Sequence, residues 1–203
     1  MSQISEMQNG QALQHGISLF VDHAGTDTSE MHVGGQAAAQ VAAGVSHENT
    51  TDEGSLSQYV VPANALVAGS TIRFWAAGVV EDNNSTDTVT ISVRLGSSTT
   101  VTSNVAVFTT AAVDAADSDI YCLHGIIQVR TAGPKGTAVA MMSYQDPDAT
   151  GTAPKWNYKD PFSVDTTAKL YLDITADWSV AHADNEINSE MFVVDIVNPN
   201  TNT

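Results

Sequence analysis

Twice between residues 71 and 96 the chain alternates apolar and polar positions, with a polar break between the two runs. Ile72, Phe74, Ala76, Gly78 and Val80 fall on one side of an extended segment; Val89, Ile91, Val93 and Leu95 fall on one side of the next, with Thr90, Ser92 and Arg94 opposite. A period of two is the signature of a half-buried strand, because successive side chains point to opposite faces of a sheet. The intervening EDNNSTD is rich in residues that bond their own backbone and tolerate turn dihedrals. The spacing therefore predicts an antiparallel hairpin over Thr71–Gly96.

The same pattern recurs downstream. Tyr59–Val61 reads as a short strand stopped by Pro62, which has no N–H for a ladder. Asn104–Thr109 and Ile120–Thr131 follow, the latter with Tyr121, Leu123, Ile127 and Val129 on one face. Gly133-Pro134-Lys135-Gly136 predicts a turn, so Thr137–Tyr144 should return antiparallel. Gln145–Pro161, with its prolines among aromatic residues, reads as a long ordered loop. Lys169–Ala176 and Met191–Val197 alternate again. With no amphipathic helix of useful length, the expected fold is all-β: an antiparallel, jelly-roll-like β-sandwich over residues 59–203. That arrangement limits exposed sheet edges. An immunoglobulin-like sandwich is the second choice.

The first 58 residues look different. Gly16–Val21 reads as a strand, with Ile17, Leu19 and Phe20 as apolar positions, but Gly25–Gly54 shifts to Gly, Ala, Gln, Thr and Ser. Its glycines and lack of large apolar residues suit either a linker or a loop ordered only against another surface. Residues 1–58 are thus expected to form an irregular N-terminal extension.

Composition narrows the function classes. The chain has 23 acidic and 7 basic residues, a formal net charge of −16. Such a field repels phosphate backbones and anionic membrane surfaces, so neither nucleic acid nor membrane is an expected partner. No secretory signal and no apolar run long enough to span a bilayer is recognised. The single cysteine, Cys122, lies in IYCLHGII and is expected to be a small core residue.

Catalytic motifs are missing. The six histidines never stand two apart, and HExxH, CxxC, G-x-S-x-G and phosphate-binding glycine loops do not occur. Neither catalysis nor a cofactor or metal is expected. Two acidic loops, Asp114/Asp117/Asp119 and Glu81/Asp82/Asp87, offer the oxygens calcium takes but lack EF-hand spacing; solvated surface acids are the expected reading. Trp156, Tyr158 and Phe162 in APKWNYKDPF could stack on sugars, but are expected instead to pin a Pro-rich loop or pack against a neighbouring subunit, and Trp75 shares the outward face of its strand with Arg73. Aromatics exposed in this way mark interfaces.

The stretch VPANALVAGSTIRFWAAGVVEDNNSTDTVTISVRLG resembles structural proteins of tailed-bacteriophage virions. The likeness is nearest to the jelly-roll decoration, or cement, proteins on the outside of icosahedral capsids, and extends over roughly Tyr59 to Val197. The resemblance implies a non-catalytic virion protein on the outer capsid surface, a homo-oligomer, in that family a trimer, clamping the major capsid protein. On that expectation residues 1–58, with Ile17, Leu19 and Phe20, contact the capsid or a neighbouring subunit, and Trp75, Trp156 and Tyr158 are the other candidate interface residues. A carbohydrate-binding or adhesive module on a fibre or cell surface is the alternative, since the fold serves either.

Overall fold

The computed structural model describes residues 39–40, 46–82, 86–145, 147 and 154–200. Among these described residues eleven strands run in order: β1 (Ala39–Gln40), β2 (Ser46–Glu48), β3 (Gly54–Val61), β4 (Leu66–Glu81), β5 (Val89–Gly96), β6 (Val105–Thr109), β7 (Asp119–Thr131), β8 (Gly136–Gln145), β9 (Lys155–Val164), β10 (Leu170–Trp178) and β11 (Glu186–Pro199). All ladders are antiparallel. The larger sheet has the order β1-β11-β4-β7-β8-β9, with β2 also on β11; the smaller has the order β3-β10-β5-β6. The two sheets face each other as a β-sandwich.

The winding is that of a jelly roll. The chain changes sheet between β2 and β3, β3 and β4, β4 and β5, β6 and β7, β9 and β10, and β10 and β11. Without β8 and β9, the remaining order β1/β2-β11-β4-β7 opposite β3-β10-β5-β6 is the eight-stranded double Greek key. The β8–β9 pair widens the larger sheet on one side only.

This topology corrects the expected hairpin. β4 and β5 have the predicted alternation, and Ile72, Phe74, Ala76, Val80, Val89, Ile91, Val93 and Leu95 are all buried. But β4 pairs with β11 and β7, while β5 pairs with β10 and β6. Two strands that each bury one face can share a ladder or oppose one another across a core about 10 Å thick. A seven-residue connection is long enough for the second arrangement. Alternation cannot distinguish the two cases.

Two other boundaries differ from expectation. Lys155–Val164 lies within and just beyond the predicted loop, yet it is a strand, paired with β8 along its length. As the edge of the sheet it needs no apolar alternation, and it accommodates Pro161, whose missing N–H is tolerable at an edge. The boundary expected between residues 58 and 59 falls inside β3, and β1 and β2 extend the larger sheet. Gly16–Val21 lies outside the described residues.

The core is drawn from the inward positions of both sheets, with Phe74, Leu123, Ile127 and Phe192 of the larger sheet against Leu172, Ile174 and Trp178 of the smaller. Polar contacts also join the two sheets: the hydroxyls of Ser57 (β3) and Ser189 (β11) are 2.5 Å apart and both buried, and Trp178 Nε1 (β10) donates to the carbonyl of His47 (β2) at 3.4 Å.

Candidate functional site

The two outer faces of the sandwich differ in chemistry. The outer face of the smaller sheet is a polar, acidic network. Arg94 (β5) donates from Nε and Nη2 to the two carboxylate oxygens of Glu53, each at 2.6 Å, and Thr175 (β10) donates to Glu53 at 2.5 Å. Burial works against the Glu53 charge, but the bonds from Arg94 and Thr175 outweigh it and hold the carboxyl below its ordinary range. Alongside, Asp173 accepts from Ser55 Oγ at 2.9 Å and Gln58 Nε2 at 2.8 Å. Burial pushes the Asp173 carboxyl up. It also pushes up Asp177, on which the nearby Glu53 charge acts in the same direction.

The outer face of the larger sheet is mostly apolar in its middle, with charged residues (Glu81, Glu186, Arg130) towards its ends, and its cross-strand rows follow from the registers. One row reads Val193, Trp75, His124, Ser143, Trp156 across β11, β4, β7, β8 and β9; the next reads Asp195, Arg73, Ile126, Met141, Tyr158. Beyond them lie Met191, Ala77 and Cys122 on one side, and Val197, Thr71, Gln128 and Val139 on the other. Of the large apolar side chains exposed on the described surface, six sit on this face: Ile120, Met141, Trp156, Tyr158, Met191 and Val197. Trp75 stacks on His124, with ring centroids 4.9 Å apart and planes 9° from parallel. The Arg73 guanidinium is ion-paired to the buried carboxylate of Asp195 across β4 and β11. The one charge pair in the middle of the face is therefore neutral.

Three predicted interface residues meet here. Trp75 and Trp156 share a row, and Tyr158 lies two residues from Trp156 on the same side of β9. Trp156 is 67% exposed and Tyr158 59%. Ile17, Leu19 and Phe20 lie outside the described residues. Ile120, Ile126, Met141, Met191, Val193 and Val197 complete the face and were not among the candidates. The alternation along Ile120–Thr131 already carried the signal for two of them. By placing Tyr121 and Leu123 inward, it placed Ile120 and Ile126 outward.

The same alternation corrects the reading of Cys122, whose thiol is exposed on this face rather than in the core. A run of apolar letters conceals which face each residue takes.

The two acidic loops come together at one end of the sandwich. The carboxyl of Asp117 is hydrogen-bonded to that of Glu81, which pushes Glu81 up from its ordinary range. Asp87 is buried and accepts from Asn185 Nδ2 at 3.1 Å. Among the described residues no group of three or more His, Cys, Asp or Glu side chains is placed to hold a metal ion. The groove between β6 and β9, lined by Val107, Phe108, Ala140, Met142, Asn157 and Lys159, encloses no room for a ligand, whereas small-molecule sites usually offer ~300–1,000 Å³. Among these features, the broad apolar sheet face has the dimensions of a protein contact.

No family model matches the chain, and no curated protein does. Among solved structures it is similar to the lectin UEA-II complexed with galactose, at 10% identity and a TM-score of 0.32, over 63% of this chain and 72% of the lectin. At that distance the likeness carries no inference about ligand or function.

Proposed function

We propose that this chain is a non-catalytic structural protein of a bacteriophage virion, decorating and stabilising the outside of the capsid as a homo-oligomer bound to the major capsid protein. The observation that supports it is the contrast between the two faces: the middle of the larger sheet's outer face is mostly apolar with its one charge pair matched, whereas the outward positions of the smaller sheet hold a hydrogen-bonded polar network around Glu53, Arg94 and Asp173. A slab of this kind suits a shell component, which must bury one side against protein and keep the other soluble under crowding. The resemblance of residues 59–197 to decoration proteins supplies the particle. Density-gradient fractionation of the native source, with the chain located by peptide mass spectrometry, tests the reading. Co-migration in many copies with DNA-filled particles is expected; recovery only among free proteins would overturn it.

One observation favours a second reading, a glycan-binding or adhesive module. Trp156 and Tyr158 project from the same side of an edge strand about 7 Å apart, by the rise of two strand residues. Two exposed aromatic faces at that spacing can stack on neighbouring sugar rings. Retention on a glycan array that disappears with Trp156→Ala would favour this reading over decoration.

A further inference from the structure

We propose that residues 18–22 of this chain add to the open edge of β9 as a further antiparallel strand of the same molecule's larger sheet. The pairing is independent of the decoration reading.

β9 ends the larger sheet, and among the described strands it pairs only with β8. Its free side presents backbone N–H and C=O groups, a template for another strand. Its first half is also uncovered on both faces, since Lys155, Trp156, Asn157 and Tyr158 are four successive exposed positions. The second half differs: Phe162 and Val164 are buried. Pro161 and the register shift opposite Ala138 and Ala140 interrupt the regular ladder there. The open template is therefore residues 155–159.

The two faces of that template set what the occupant must carry. Trp156 and Tyr158 register with Ser143 and Met141 and lie on the outer face. Lys155 and Asn157 register with Tyr144 and Met142 on the inner side. There the Lys155 ammonium lies 5.7 Å from the centroid of the Tyr144 ring, and Asn157 and Lys159 line the groove with Val107 and Phe108 of β6. A complementary strand carries apolar residues on its outer side. On its inner side it carries an apolar residue at the groove and acidic or neutral polar residues beside the lysines.

Residues 18–22, SLFVD, meet that requirement in one register. With Val21 opposite Trp156, antiparallel pairing sets Leu19 beside Tyr158, Phe20 beside Asn157 at the groove, Ser18 beside Lys159 and Asp22 beside Lys155. A slip of one residue in either direction would carry Asp22 to the aromatic side and turn Leu19 and Val21 toward the lysine side. Within the 38 residues that precede β1, only Ile17, Leu19, Phe20 and Val21 place four large apolar side chains in five positions.

A second copy's β9 is a poorer occupant of the edge. A dyad through Asn157 would set Lys155 opposite Lys159 twice, and like charges directly opposite are destabilising. Reach permits the intramolecular strand. Residues 23–38 join Asp22 to β1, and a chain of that length extends to about 55 Å. Six strand spacings, from β1 to a strand beyond β9, come to about 29 Å. The tether also holds the segment near its own edge at an effective concentration of about millimolar order, above that of a neighbour's segment in a micromolar solution.

The test uses the purified full chain carrying Cys122→Ser, so that introduced thiols are the only ones present. Leu19→Cys with Tyr158→Cys should form a disulfide within one molecule under mild oxidation, read by non-reducing electrophoresis and peptide mass spectrometry. Ser18→Cys with Tyr158→Cys, whose side chains leave opposite faces, should cross-link at least about tenfold more slowly. A second readout needs no introduced cysteine. The amides of residues 155–159 that point away from β8 should exchange with deuterium at least about tenfold faster in Leu19→Asp than in the wild type, while amides of β4 and β7 exchange alike in both. A disulfide-linked dimer would give the segment to a second copy and overturn the intramolecular strand. Equal cross-linking of the two pairs, or β9 exchange indifferent to Leu19→Asp, would overturn it as well. None of these outcomes depends on capsids, so the added strand and the decoration reading can fail separately.

Discussion

The ring of Phe74 occupies the space that a Cβ on Gly125 would need. The two residues are directly opposite on β4 and β7, and an ideal Cβ at position 125 would lie 2.2 Å from Cζ of the ring. Phe74 is fully buried, so the ring has nowhere to retreat. Gly125→Ala should therefore destabilise the domain by about 1–3 kcal/mol, the usual cost of overpacking a core, read as a lower urea midpoint at unchanged m-value. Unchanged stability would mean that the ring does not lie across β7.

Glu53 and Arg94 join the segment before β3 to the middle of β5. Their side chains are 12% and 16% exposed, so the pair is largely desolvated. Removing one member leaves the other buried and unpaired, which costs about 3–5 kcal/mol in a dry interior. With some solvent present, about 2–3 kcal/mol is expected for Arg94→Ala at neutral pH. The Glu53 carboxyl titrates below its ordinary range when folded, so its contribution is present above that range and is lost as pH falls through the folded value. The gap in stability between wild type and variant should narrow on acidification. A gap that stays constant with pH would show that the lost packing of the arginine stem, and not the ion pair, is responsible.

Asp173 should behave in the opposite sense. Burial raises its folded pKa, so the stabilisation linked to its protonation is complete at low pH and is lost as pH rises through the folded value. Asp173→Asn keeps an oxygen for Ser55 and Gln58 and removes the buried charge. Relative to wild type, this variant should therefore gain thermal stability near neutral pH and lose that gain in acid. The check is Tm against pH for both proteins, and parallel curves would refute the burial argument.

Much of the sandwich is legible in the sequence because a half-buried strand leaves a period-two trace. Phe74, Leu123, Leu172 and Phe192 all lie on the side that alternation gives them. Pairing is less legible, since β4 and β5 would show the same trace as a hairpin or as opposed strands. Edge strands are less legible still. β9 has two exposed aromatics, a proline and two lysines because only one of its sides joins a ladder. The outer face escaped notice for a related reason: Ile126, Met141 and Val193 are far apart in sequence, and only registers across β7, β8 and β11 bring them together.

Trp156 and Tyr158 offer a clean separation of stability from function. Both are more than half exposed and lie on an edge strand, so truncating them removes little buried surface from the folded monomer. Surface substitutions of this kind usually stay within about 0.5 kcal/mol. The double variant Trp156→Ala with Tyr158→Ala should fold normally, with a chemical denaturation curve that overlays the wild type's under conditions where both are monomeric. Its effect should appear in association. If the face docks protein, the variant should lose assembly by tenfold or more, because aromatic anchors at contacts are commonly worth about 2 kcal/mol each. If the pair is a sugar platform, assembly should persist and glycan retention alone should disappear. A variant that unfolds would mean that the aromatics are packed against the domain, and would remove both roles together.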